Sequence, residues 1–134
     1  MKKLFVIIAA GVSLISCTKK VAAPSESTKQ NVFFKDADVD VENMAAVKTG
    51  ATTVTVNFST AFEKNITRIE LMSSATTSTF CTIQVVNING NSSIQKNYTL
   101  TDLNAKNSTM YYMLRFQDGS GNWTYSPYLT VKVD

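Results

Sequence analysis

From about residue 39 onward this chain alternates apolar and polar side chains in short runs broken by clusters of Asn, Gly and Ser, and no run keeps the period of a helix. Val54, Val56 and Phe58 interleave with Thr53, Thr55 and Asn57, and Leu129, Val131 and Val133 interleave with Tyr128, Thr130 and Lys132. A period of two, carried by threonine, valine, isoleucine and aromatic residues, predicts strands with one face buried and one wet. Seven strands are expected, near 41–48, 52–59, 66–72, 79–86, 94–100, 110–117 and 124–133. Their even spacing predicts a single all-β, antiparallel seven-stranded sandwich. In the sixth strand Tyr112, Leu114 and Phe116 are assigned to the core, and Tyr111, Met113 and Arg115 to the outside, because a guanidinium seeks water.

The connections carry turn chemistry. Asp118-Gly119-Ser120-Gly121-Asn122 supplies residues tolerant of positive φ for a tight hairpin, and Asn89-Gly90-Asn91 is expected to do the same one hairpin earlier. Lys48-Thr49-Gly50-Ala51 is expected to join the first two strands. Pro127 removes a ladder donor inside the last strand, so that strand should be an edge or be bulged there.

The amino-terminal part has another character. Met1-Lys2-Lys3 precedes an apolar run from Leu4 to Ile15, of signal-peptide length and too short to span a membrane, and Ser16 stands immediately before Cys17. Charge, length, small residue and cysteine in that order resemble a bacterial lipoprotein signal with its lipobox, Leu14-Ile15-Ser16-Cys17. The competing reading, an ordinary secretory signal or uncleaved anchor, has no need of the cysteine. The resemblance implies a diacylglycerol thioether on Cys17, cleavage before it and acylation of the new terminus. Residues 1–16 are then the signal peptide, 17–38 the lipidated cysteine with a flexible tether, and 39–134 the folded domain. Thr18 to Gln30 is polar, small and aperiodic, as a tether should be. Lys19 and Lys20 stand where surface-exposed lipoproteins of some lineages carry acids, so the resemblance points to the periplasmic side of the cell outer membrane.

Removing the signal also removes Lys2 and Lys3, leaving 11 basic against 10 acidic residues in a chain of 118. No basic cluster remains, which argues against nucleic acid as a partner. With Cys17 committed to lipid, Cys81 has no intramolecular partner and is expected to pack inward as a small, inert side chain.

Little catalytic chemistry is available. The chain has no histidine, no glycine-rich phosphate loop and no recognisable carboxylate pair, so it does not read as an enzyme, and no cofactor is implied. Asp36, Asp38, Asp40 and Glu42 alternate at a spacing that suits oxygen ligation of Ca²⁺. An EF-hand loop, however, would need glycine at Val41 and glutamate at Val47. They read instead as a solvated charged edge, with no metal site.

The stretch from Met110 through Arg115-Phe116-Gln117-Asp118-Gly119 to Trp123-Thr124-Tyr125-Ser126-Pro127 resembles the closing F and G strands of a fibronectin type III-like domain. Val54–Ala61 with Arg68–Leu71 resembles the B and C strands, and Tyr98–Asp102 the E strand. The resemblance covers about residues 41–134. It departs from the family where Phe58 replaces the usual Trp, and where Asn104-Ala105-Lys106-Asn107 replaces Pro-Gly. It implies an immunoglobulin-like fold and a binding role. Tyr111, Trp123, Tyr125 and Tyr128 fall on or beside the last hairpin, where aromatic rings can serve as a platform for a sugar or an extended peptide, or else pack into the core. The expected function is a non-catalytic, lipid-anchored module of the cell envelope that contacts protein or glycan. The alternative is a structural accessory subunit of a larger outer-membrane or periplasmic complex.

Overall fold

The structure, a computed structural model, describes residues 17–19, 32–36, 38–106 and 108–133. The segment 1–16, read from the sequence as a signal peptide, and most of the stretch read as a tether lie outside the described residues. Nine strands and no helix occur among those described: β1 (Cys17–Lys19), β2 (Val32–Lys35), β3 (Val39–Lys48), β4 (Val54–Ser74), β5 (Thr79–Ser92), β6 (Lys96–Asp102), β7 (Thr109–Asp118), β8 (Trp123–Tyr125) and β9 (Leu129–Lys132). The all-β expectation holds. Two short strands, β1 and β2, fall within the stretch read as tether, and Val32-Phe33-Phe34 carries the β-prone residues that account for the second.

Every pairing is antiparallel, and one strand organises them all. β4 runs for 21 residues. Its first half lies between β3 and β6, with Val56 opposite Ala46 on one side and Leu100 on the other. Its second half lies between β5 and β7, with Ile69 opposite Val86 and Phe116. β2 extends the first half beyond β3, while β8 and β9 extend the second beyond β7. Apolar residues from both halves meet in one core: Val54, Val56 and Phe58 with Ile66, Ile69 and Leu71, closed by Tyr112, Leu114 and Phe116 of β7.

The two strands expected at 52–59 and 66–72 are therefore one. Residues 60–65 do not loop out because β3 and β5 continue to pair with them through register shifts, and Asn65, at φ 54°, absorbs the change of direction. The Gly119 amide donates to the Asn65 carbonyl at 3.0 Å and holds that bend from the far hairpin. A Cβ on Gly119 would lie 2.6 Å from Asn65 Oδ1, so a side chain there would displace the asparagine.

Asn89-Gly90-Asn91 makes no turn. It continues β5, and the reversal falls after Ser92, whose Oγ donates to the Ile94 carbonyl and accepts from the Ile94 amide. Asp118–Asn122 turns as expected, closed by the Asp118 amide on the Asn122 carbonyl at 3.0 Å, with Gly121 at φ 87°. Ser126 and Pro127 divide the last strand into β8 and β9. Ser126 holds the ladder across that break: its amide donates to the Leu114 carbonyl and its Oγ accepts from the Leu114 amide, both at 2.8 Å.

Buried carboxylates pin the β6 and β7 ends. Glu63 accepts hydrogen bonds from Thr60 Oγ1 at 2.9 Å and from the Tyr98 hydroxyl, and pairs with Lys96 at 3.4 Å. Asp102 accepts from the Tyr112 hydroxyl at 2.8 Å and from the Asn104 amide at 2.9 Å. Burial, then the neighbouring carboxylate, raises the pKa of both tyrosines, so each stays a donor.

Candidate functional site

From Arg68 onward, after a register shift, β4 turns its even-numbered side chains away from the core. Arg68, Glu70, Met72 and Ser74 stand on this outer face, and their cross-strand neighbours on β7 are Gln117, Arg115, Met113 and Tyr111. One strand further on, Trp123 lies opposite Gln117, and Tyr125 opposite Arg115. This face therefore carries charged, sulfur-containing and aromatic side chains in adjacent rows.

Its centre is a charge cluster. Arg115 donates from Nε to Glu70 Oε2 at 2.7 Å and from Nη2 to Oε1 at 3.2 Å, and Nη2 also reaches Thr82 Oγ1 at 3.3 Å. Arg68 adds a second guanidinium to the same carboxylate at 3.3 Å. Glu70 is fully buried and Arg115 is 5 % exposed, so the sequence expectation that Arg115 reaches water is overturned. A bidentate carboxylate on one side and the Trp123 ring on the other, 4.0 Å from the guanidinium carbon to the ring centroid, replace its solvent shell.

The four aromatic residues singled out from the sequence do come together on this face. Tyr128 is buried with Met72, Phe80 and Met113, and Tyr111 and Tyr125 pack half-buried against that cluster. Tyr111 meets Tyr128 edge-on at 5.6 Å, and Phe80 lies 6.2 Å from Tyr128. Trp123 is half-buried, stacked on Arg115 at the opposite end. Tyr128 belongs to the packing, while Tyr111, Tyr125 and Trp123 keep part of their surface in solvent. The outcome is a rigid aromatic strip whose rings are fixed by neighbours beneath them, a combination of apolar area and polar edges that suits recognition.

A cleft of about 600 Å³ opens elsewhere, between the β4–β5 hairpin and the β6–β7 connection, lined among others by Ser74, Thr76, Cys81, Ile83, Asp102 and Met110. Much of its polar lining is already engaged. Ser74 and Thr76 bond to each other and to the hairpin backbone, and both Asp102 oxygens are occupied as described above. A carboxylate so held is a structural brace rather than an acid–base group.

At the rim of this cleft Cys17 and Cys81 form a disulfide, and β1 pairs with β5 through Cys17–Cys81, Thr18–Phe80 and Lys19–Thr79. This overturns the expectation that Cys81 is without a partner; in this chain it is bonded across the strands, and no free cysteine remains among the described residues. One sulfur cannot hold both a disulfide and a thioether, so pairing with Cys81 and lipid attachment are exclusive states of Cys17.

Asp36, Asp38, Asp40 and Glu42 do not converge: Asp40 pairs with Lys35 at 3.6 Å, Asp36 Oδ1 accepts from the Asp38 amide, and no metal-sized group of ligands forms among the described residues. Arg68, Glu70 and Arg115 are the residues of the site that sequence reasoning missed. Their spacing, Arg68-Ile69-Glu70 on one strand and Arg115 on another, signals a shared face only when the register between those strands is known. No protein-family model matches this chain, and no curated protein matches it.

Proposed function

We propose that this chain is a non-catalytic, lipid-anchored module of the bacterial outer membrane, facing the periplasm, which contacts a glycan or protein partner through the outer face of β4, β7 and β8. The observation that carries the reading is the set of half-buried rings on this face, Tyr111 and Tyr125 packed on the Met72, Phe80, Met113 and Tyr128 cluster and Trp123 stacked on Arg115. Such preorganised rings lose little entropy on contact.

The fold reading is an immunoglobulin-like, fibronectin type III-like sandwich. Two features support it. In one half of the sheet the order is β3-β4-β6, and in the other β5-β4-β7-β9, which corresponds to A-B-E and C′-C-F-G with β4 serving as both B and C. The Tyr112 hydroxyl also ties the start of β7 back to the preceding corner, as a tyrosine corner does, here through the Asp102 side chain.

Lipid attachment is tested on Cys17. Three acyl chains on one residue would anchor the protein stably, and Cys17→Ser should release it or stall its processing. Recovery of Cys17→Ser in the membrane at wild-type level and mature size would sink the reading. Thiol labelling of the membrane-bound protein gives an independent answer: a lipidated Cys17 leaves Cys81 free to react with a maleimide, whereas a disulfide protects it. Protease shaving of intact and permeabilised cells reads orientation, with protection in intact cells expected. For the binding face, Tyr111→Ala and Tyr125→Ala should weaken partner capture more than they lower the melting temperature. The accessory-subunit alternative predicts migration with a larger assembly after detergent extraction, rather than as a monomer.

A further inference from the structure

The two ends of the molecule differ in charge. At one end β4 bends at Asn65, the Gly119 amide closes over the bend, and the Lys64 amide donates to the Asp38 carbonyl at 2.7 Å. Asp36, Asp38, Asp40, Glu63 and Asp118 gather there. At the other end both termini of β4 meet around the cleft: Val54 pairs with Lys48 and Asp102, and Ser73 and Ser74 pair with Cys81 and Tyr111. Among the described residues Asp102 is the one acid at this end, and it is buried and held by Tyr112 and Asn104. Lys48 and Lys106 are exposed there. Lys132 lies opposite Thr109 at the same end, and counting Asp134, which lies outside the described residues, against it leaves the cations in excess.

Two apolar side chains face solvent at this basic end, Val47 at 54 % and Leu103 at 67 % exposure. Leu103 is presented by a fixed loop. Its carbonyl accepts from Thr52 Oγ1, the Asn104 amide is tied to Asp102, and Ala105 is buried with its amide on the Thr52 carbonyl at 2.9 Å. The amino-terminal segment reaches the same end: β1 lies on β5 with exposed Cys17 opposite Cys81, and Cys81, Leu103 and Lys106 line one cleft. Acylation of Cys17 gives up the disulfide but not the main-chain pairing of β1 with β5, so the acyl chains leave the domain at its basic end.

We infer that this end docks on an anionic lipid bilayer, with Leu103 in the interface and Lys48 and Lys106 on lipid phosphates. The inference rests on the proposed acylation of Cys17 and adds an orientation to it, with Trp123 and the Asp118–Asn122 turn at the end far from the membrane. The anchor already holds the domain at the surface, so docking costs little further entropy, while the lysines are drawn to an anionic leaflet and the leucine leaves water. Ile94 is exposed as strongly as Leu103, but it follows Ser92, the partner of Glu63, at the acidic end, which the same leaflet repels.

The test uses full-length protein reconstituted from detergent into vesicles of phosphatidylethanolamine and phosphatidylglycerol with brominated acyl chains, which quench tryptophan on contact. Trp123 is the single tryptophan of the chain and serves as the reference. The added indole of Leu103→Trp should be quenched, and wild type and Ile94→Trp should not. Adding Lys48→Gln and Lys106→Gln to Leu103→Trp should lower the docked-to-free ratio about thirtyfold, the effect of two cations at an anionic surface. All these positions are exposed, and unchanged melting temperatures confirm that the variants fold. An unquenched Leu103→Trp in acylated protein overturns the inference and leaves the anchor intact. Equal quenching of Leu103→Trp and Ile94→Trp overturns the orientation, and quenching indifferent to the lysine substitutions overturns their role. A co-purifying protein that shields Leu103→Trp from bromine assigns this end to a protein and overturns the bilayer as occupant. Mass spectrometry of the amino-terminal peptide tests the premise separately: Cys17 without acyl chains overturns the inference together with the lipid reading.

Discussion

The two outer faces of the sheet are built on one strand and could hardly differ more. Along the first half of β4, Thr55, Asn57 and Ser59 look outward, the last two joined to β6 neighbours by small polar contacts, Thr99 Oγ1 to Asn57 Oδ1 at 2.8 Å and Ser59 Oγ to Asn97 Oδ1 at 2.6 Å. Along the second half, Arg68, Glu70 and Met72 look outward into a face that is itself packed. The first face alternates cleanly and is wetted by water; the second is closed at its centre, over Glu70, Met72, Met113 and Arg115, and open at its margins, where Arg68 and Trp123 keep surface in solvent. A strand with two buried faces loses the solvation of its polar side chains, so its charges must find partners within the fold. The molecule concentrates its specific polar contacts where both faces of β4 are covered.

The largest effect is expected from Glu70→Ala. Removing the shared carboxylate leaves Arg115 buried and unpaired, and chemical denaturation should show a loss of about 3–5 kcal/mol. A loss below about 1 kcal/mol would mean that water reaches Arg115 and that the second face is not a packed one. Next comes Tyr112→Phe, which strips Asp102 of a buried donor and should cost about 1–3 kcal/mol.

That hydroxyl also has a pH signature. The pKa values of Tyr98 and Tyr112 are both raised in the folded protein by burial and by Glu63 or Asp102, so the unfolded chain loses its tyrosine protons first. Their contribution is therefore complete below about pH 10 and falls as pH rises beyond it. A melting-temperature series from pH 8 to 11 should decline at its upper end, and Tyr98→Phe with Tyr112→Phe should flatten the decline. A smaller effect is expected from Trp123→Leu, which removes the ring from Arg115 and should cost about 0.5–2 kcal/mol. Smallest of all, Asn57→Ala on the first face should stay within about 0.5 kcal/mol, since its partner Thr99 is exposed and rebonds to water.

The same contrast explains what could be read from the sequence. Val54, Val56 and Phe58 declared their strand because only one face of it is buried, and Tyr112, Leu114 and Phe116 were assigned to the core correctly. Arg115 reads as solvent-facing because composition alone carries no trace of a partner 45 residues away. The long β4 reads from the sequence as two strands because polar Glu63, Lys64 and Asn65 interrupt the apolar pattern, and the burial of Glu63 depends on its partner Tyr98 on another strand. Asn89-Gly90-Asn91 carries turn-forming residues, yet pairing with the far end of β4 keeps it extended. The aromatic residues of the last hairpin were legible as a group, but not the cation beneath Trp123. Cys17 and Cys81 were legible one at a time; that they meet depends on β1 lying along β5.

The 21-residue length of β4 also governs how the molecule opens. A single continuous strand threads both parts of the sheet, so neither part can detach while the other keeps its ladder, and local opening should give way to one global event. Backbone amides of β4 on either side of Asn65 should then exchange with solvent deuterium at nearly the same slow rate. A ligand held at Trp123 would slow exchange as far away as Val54.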